Sequence, residues 1–191
     1  MRRFPTLSLI ITCVIVGAVT RPAAAQNVPR VEVSGGYQFL GLKSPGDQNF
    51  TNLKKGWYAD VAGNVTNVFA IVGNVAGNSK TITEGTSTFD FSAHQFLVGP
   101  RVNARAIPRI VPFGQVLIGE TRQKASLSSI HLTANTFTVA AGGGVNLMVL
   151  PRAGIRGGVD YVHLSKKSGS QIADQTINGY RISVGVVLAV G

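Results

Sequence analysis

The stretch from Thr136 to Leu164, "TFTVAAGGGVNLMVLPRAGIRGGVDYVHL", is apolar in tone, yet it carries six glycines, two arginines and an aspartate. On both sides of Leu150-Pro151-Arg152 it alternates with period two, which predicts two strands joined by a tight turn. Folding it about that turn sets Val145 opposite Gly157 and Gly143 opposite Val159 on one face. On the other face Asn146 meets Arg156, Gly144 meets Gly158 and Gly142 meets Asp160. One face is thus aliphatic and the other polar and glycine-rich. An eight-stranded barrel has an interior just wide enough for side chains, so a long arginine can cross it only where the neighbouring positions are nearly empty. Glycine supplies that room and relaxes the curvature of a small sheet. Tyr161, diagonal to Gly143 on the aliphatic face, is expected to cover its exposed backbone.

The same alternation recurs along the chain. It predicts strands from Val31, over Trp57–Val65, Val68–Gly77, His94–Ala104, Pro112–Glu120, Phe137–Val149 and Gly154–Leu164, and over Gly179–Val190. That makes eight strands, and no segment after the leader has a helical period. Connections alternate in length. Thr66-Asn67, Ile107-Pro108-Arg109 and Leu150-Pro151-Arg152 are short, whereas Lys43–Lys55, Asn78–Ala93, Thr121–Thr136 and Ser165–Asn178 are long and polar. Antiparallel strands of about 9 to 11 residues, with turns at one end and loops at the other, form the pattern of an outer-membrane barrel.

Composition agrees. Apolar residues make up 45% of the 191 residues and charged residues only 14%, with 23 glycines, which leaves little charge for a surface solvated by water alone. Met1-Arg2-Arg3, an apolar run from Leu7 to Val19 and Ala23-Ala24-Ala25 read as a cleavable signal peptide over residues 1–25, with the barrel domain over 26–191. No later run is long and apolar enough for a spanning helix. The one cysteine, Cys13, falls inside the leader, and "IITC" lacks the small residue that lipidation requires, so neither a lipid anchor nor a disulfide is expected. Without Arg2, Arg3 and Arg21 the 18 basic residues fall to 15 against 8 acidic ones, a net charge of +7 that favours an anionic partner surface.

Sidedness assigns the two faces. Val33, Tyr37, Val61, Val98, Ile118, Val159 and Ile182 belong to an outward set that lipid can solvate. Glu32, Gln38, Asp60, Asn64, Arg101, Asn103, Gln115, Asn146, Arg156, Asp160 and Arg181 belong inside, where they can meet one another. "FLVGPRVNAR" (Phe96–Arg105), "PFGQVLIG" (Pro112–Gly119), "AAGGGVNL" (Ala140–Leu147), "GGVDYVHLS" (Gly157–Ser165) and the terminal "ISVGVVLAVG" carry a resemblance that spans the mature chain. It resembles the small eight-stranded outer-membrane β-barrel proteins, the OmpA-like group in the broad sense. The resemblance implies an all-β, antiparallel up-and-down transmembrane barrel in the outer membrane of a Gram-negative cell envelope. Many members of that group end in an aromatic residue, whereas this chain ends Val190-Gly191.

Two sets of candidate site residues follow. Glu32, Asp60, Arg101, Arg156, Asp160 and Arg181 are expected to form an internal ionic network that closes the lumen, three charges of each sign. Lys54, Lys55, Lys80, Arg122, Lys124, Lys166 and Lys167, gathered at the loop end, suit the phosphates of lipopolysaccharide. Trp57, Tyr58, Tyr37 and Phe91 near the same end suit an interfacial girdle. His163 and Ser165 match the His-x-Ser spacing of lipid A deacylases, but Lys166 stands where those enzymes have asparagine, and Asp174 is the nearest carboxylate to orient the ring. No enzymatic activity is therefore expected. His94 and His131 lack a second ligand at metal spacing, and Gly142-Gly143-Gly144 has no following helix or lysine to make a phosphate loop. No metal, cofactor or nucleic-acid partner is expected. The expected role of the monomer is structural, or the display of loops to an extracellular ligand; a narrow pore, a lipid-modifying enzyme and a soluble carrier are the competing classes.

Overall fold

Over most of the described residues, alternating β-branched, aromatic and small residues become strand. A computed structural model describes residues 29–43, 51–53, 55–84, 87–107, 109–127, 130–166 and 175–190. Residues 1–25, where a leader is expected, lie outside them, as does Gly191. The strands are β1 (Val31–Lys43), β2 (Thr51–Leu53), β3 (Lys55–Asn64), β4 (Phe69–Glu84), β5 (Ser87–Asn103), β6 (Ile110–Leu127), β7 (Ile130–Met148), β8 (Ala153–Lys166) and β9 (Gln175–Val190). Each pairs antiparallel with its sequence neighbours, apart from β2 and β3, which both pair with β1. β1 also pairs with β9 from Val31↔Val190 to Lys43↔Asn178, which closes the sheet. Closure removes every free edge along that length.

β2 and β3 act as one stave of an eight-stave barrel. Between Tyr37↔Trp57 and Leu40↔Leu53, β1 advances three residues while its partner advances four. One extra residue is a bulge, and it reverses which face the odd-numbered positions take. Trp57 therefore faces out, whereas Leu53, also odd-numbered, is buried opposite Leu40.

The register at the opening stretch is Val145↔Gly157, Asn146↔Arg156, Gly144↔Gly158, Gly143↔Val159 and Gly142↔Asp160, as the tight turn dictates. Val61, Val98, Val159 and Val186 are each more than half exposed, while Arg101, Arg156, Asp160 and Arg181 are buried. The aliphatic face is the outer wall. At Gly143 the atoms nearest the space a side chain would occupy are the Phe113 carbonyl and the Gly114 Cα. Aromatic rings cover the backbone at Gly41, under Tyr180, and at Gly77, under the Trp57 indole.

Two connections expected as loops are mostly strand. β4 runs on to Glu84 and β5 starts at Ser87, while β6 runs to Leu127 and β7 starts at Ile130. Pairing continues through Ile82↔Phe89 and Ala125↔Leu132. These strands are 16 to 19 residues long, beyond the roughly 9 to 11 needed to cross a bilayer. Where water reaches both faces, a hairpin needs no apolar side, so polar composition did not betray it. Four paired strands thus rise past the hydrocarbon at the loop end.

Candidate functional site

Inside the barrel the charged groups are layered along the axis. Nearest the tight turns, Glu32 accepts hydrogen bonds from Arg105 Nη2 and, at 3.1 Å, from Asn64 Nδ2. One level up, Asp60 Oδ2 accepts from Arg156 Nη1 at 2.7 Å, Arg101 Nη2 at 3.0 Å and Ser34 Oγ at 3.3 Å. Asn74 Nδ2 donates to the other Asp60 oxygen. Above that, Asp160 Oδ2 accepts from Arg181 Nη2 at 2.7 Å and Nε at 3.0 Å, while its Oδ1 accepts from Gln115 Nε2 at 3.0 Å. Gln115 Oε1 in turn accepts from Arg101 at 2.7 and 3.0 Å, and Asn74 Oδ1 from Arg181 Nη1 at 3.0 Å. The middle layers form one connected net.

Space for that net comes from two glycines and one ring. Two guanidinium groups lie over the Phe113 ring, the Arg101 carbon 4.7 Å and the Arg156 carbon 4.8 Å from its centre. A Cβ at Gly144 would stand 2.8 Å from that ring and 2.1 Å from the Gly157 carbonyl; one at Gly142 would stand 2.7 Å from Asp160 Oδ1. Any larger residue at either position would push the ring or the carboxylate out of place. Toward the loop end the filling changes character. Leu40, Leu42, Leu53, Leu117, Val162 and Leu164 belong to an apolar cluster, with Ile177 packed against it.

The structure brings together all six residues singled out for the lumen, and it adds others. Arg105 is a fourth arginine, so among the described residues the interior holds four guanidinium groups against three carboxylates. Sequence reading missed it because Arg105 lies past the end of β5, where alternation no longer assigns a face. Asn74 and Gln95 were legible by parity along β4 and β5. Tyr58 is a correction: it is 4% exposed and faces inward, not toward the interface. Its even number, shared with Asp60 and Asn64, was the better guide than its chemistry. A residual cavity of about 10 Å³ lies beside it, lined also by Asp60, Asn74, Arg156 and Arg181.

On the outer wall, register fixes where the loop-end cations stand. Trp57, Gly77, His94, Arg122 and Asn135 form one lateral row; Lys55, Ser79, Ser92, Lys124 and Thr133 form the next row toward the loops. Lys55, Arg122 and Lys124 are exposed on this face. Lys80 departs from the expectation: it follows Asn78 on the inner register of β4 and is half-buried. Lys54 and Lys167 lie outside the described residues, as does the side chain of Lys166, which ends β8. Of the expected girdle, Tyr37 and Trp57 face out, while the side chain of Phe91 lies outside the described residues.

His163 sits on the outer face, where its Nδ1 hydrogen-bonds Asn178 Oδ1 at 2.8 Å. An amide, not a carboxylate, orients the ring; Asp174 lies outside the described residues. Among the described residues no cluster of His, Cys, Asp and Glu could hold a metal ion.

Residues 10–189 match the family described as Outer membrane protein beta-barrel domain. The chain belongs to that family. None of the curated proteins matches the sequence. Among solved structures, Neisserial surface protein A is similar, with a TM-score of 0.64 at 10% identity, over 86% of this chain and 99% of that one. The attachment invasion locus protein Ail of Yersinia pestis is similar with a TM-score of 0.56 at 17% identity, over 84% and 99%. Outer membrane protein OprG of Pseudomonas aeruginosa follows with 0.52 at 9%, over 84% and 95%. At such identities the likeness is one of fold. As an outer membrane protein beta-barrel domain, the chain resides in the outer membrane and crosses it with its strands, the greasy wall against acyl chains.

Proposed function

We propose that this protein is a closed, monomeric outer-membrane barrel that serves the envelope structurally and presents its hairpins outside the cell. One observation carries the closure. At the level of Asp60 two guanidinium groups share one carboxylate oxygen and both lie over the Phe113 ring, filling the bore, and the residual cavity of about 10 Å³ has room for about one water. Ions and solutes find no path past that level. Reconstituted in planar bilayers, the protein gives no steady conductance; large, steady channels would overturn the closure and leave a narrow pore as the better account.

The loop-end cations supply the second part of the reading. Lys55, Arg122 and Lys124 are exposed on the outer wall where the aliphatic rows give way to polar ones, and on this reading the anionic headgroups of the outer leaflet meet them there. Each contributes about 1 kcal/mol of attraction to such a surface. They form a collar for lipopolysaccharide phosphates. Ail, of the same fold, is known in complex with the heparin analogue sucrose octasulfate, a polyanion at a barrel of this size.

A lipid-modifying role is not favoured, since His163 is oriented by Asn178 and no described carboxylate reaches it. Lipid A recovered from cells with and without the protein keeps the same acyl chains on this reading. The leader over residues 1–25 delivers the chain across the inner membrane before the barrel over 26–191 assembles.

A further inference from the structure

An open cleft of about 340 Å³ indents the outer wall at the loop end, lined by Tyr37, Lys55, Trp57, Gly77, Ser92 and His94 among others. Its floor exists because Gly77 has no side chain: a Cβ there would stand 2.6 Å from the indole Nε1 of Trp57. The ring lies flat across β4 with half its surface exposed. Serine hydroxyls and an imidazole flank it on the β4 and β5 side. Cations stand at both ends of the same two rows, Lys55 lining the cleft on β3 and Arg122 with Lys124 beyond its lining on β6, where exposed Glu120 is the neighbouring carboxylate two residues before Arg122. Three strand spacings separate the ends, roughly 14 Å at ~4.8 Å per strand.

An acyl chain has no use for hydroxyls, an imidazole and two sets of charges. A small free anion has no use for an aromatic platform. A flat, hydroxyl-rich ring system with phosphate at each end uses all of them, because sugar C–H faces pack on indole while the ring hydroxyls bond to Ser79, Ser92 and His94. We infer that this cleft binds the phosphorylated sugar headgroup of an outer-leaflet glycolipid, with a sugar ring on Trp57, one phosphate at Lys55 and the other reaching out of the cleft to Arg122 and Lys124. The inference rests on the collar described above and narrows it to one wall of the barrel.

Trp57 is the only tryptophan in the chain, so its emission reports on the cleft directly. The full-length mature protein, folded in zwitterionic micelles, is titrated with lipid A, with dephosphorylated lipid A and with phosphatidylglycerol, and folding of each variant is checked by gel mobility before and after boiling. Lipid A changes the emission saturably, and the two other lipids do not. Lys55→Gln weakens the apparent affinity about fivefold, and Arg122→Gln does likewise, each removing one cation. Gly77→Ala leaves every charge in place but lifts the indole, and it weakens binding of lipid A while shifting the emission of the unliganded protein. An equal response to phosphatidylglycerol would overturn the sugar site. So would lipid A that stays bound, salt-sensitively, with indifference to Lys55→Gln and Gly77→Ala, although the collar would survive that result. Failure to retain lipid A at all would sink both.

Discussion

The two halves of the lumen fill the same bore by different means. Toward the tight turns Asp60, Asp160 and Glu32 are threaded among four arginines; toward the loops Leu40, Leu117, Val162 and Leu164 pack among uncharged polar groups that bond one another, Gln38 with Asn78 and Thr121 with Thr138. Apolar filling depends on volume, which several side chains can supply. Ionic filling depends on partners, because a buried charge that loses its counter-charge keeps the whole desolvation cost. The ionic half should therefore specify a single arrangement, whereas the apolar half should tolerate exchange.

Near-isosteric substitutions test that contrast most sharply. Asp60→Asn keeps the shape but leaves Arg101 without a carboxylate and Arg156 with only Glu32, 3.9 Å away. A loss of about 3–5 kcal/mol is expected. Leu117→Met, a comparable change of shape in the apolar half, should cost less than about 1.5 kcal/mol. Urea unfolding in lipid vesicles, followed by Trp57 emission, measures both. Should the two losses be equal, the halves would not differ in kind.

Arg105→Ala sharpens the comparison within the ionic half. Arg105 holds Glu32 from a partly exposed position, and Asn64 remains at 3.1 Å to satisfy the same oxygen. Water can reach the site once the guanidinium is gone. The expected loss is about 1–2 kcal/mol, below that for Asp60, because a hydrogen bond to a charged group is removed without sealing an orphan charge in the interior. The same vesicle unfolding experiment reads it, and a loss as large as that of Asp60→Asn would mean that solvent does not enter at the turn end.

Much of this architecture was legible in residue order, and the misses share a cause. Period two revealed the staves, and the turn at Leu150-Pro151-Arg152 fixed the pairing of Asn146 with Arg156 and Gly142 with Asp160. Parity then sorted the faces. It fails wherever something other than sidedness governs a residue. The bulge between β2 and β3 reverses parity with no mark in the sequence. Beyond the hydrocarbon, water bathes both faces, so "SKTITE" (Ser79–Glu84) looked like loop although it pairs with β5. At Tyr58 parity rather than side-chain chemistry assigns the face, and Arg105 lies where the strand has ended. The outer-wall cleft was out of reach altogether. It joins β1, β3, β4 and β5, and only the lateral register puts Trp57 beside Gly77 and His94.

The tight turns pose the same question of tolerance at the smallest scale. Arg109, between β5 and β6, is the non-glycine residue with positive φ among those described, at 74°. The left-handed region costs an L-residue roughly 1–2 kcal/mol because its Cβ crowds the following carbonyl. Yet the geometry is fixed by neighbours: Met148 N donates to the Arg109 carbonyl at 2.7 Å, tying the turn to the end of β7. Arg109→Gly removes the crowding and keeps that carbonyl, but it also gives the unfolded chain more freedom to lose. The two effects oppose, so the net gain should be under about 1 kcal/mol. Arg109→Ala, which keeps the crowding, should gain nothing. If alanine stabilised as much as glycine, the exposed arginine side chain would be the source of the cost and the backbone would not be strained.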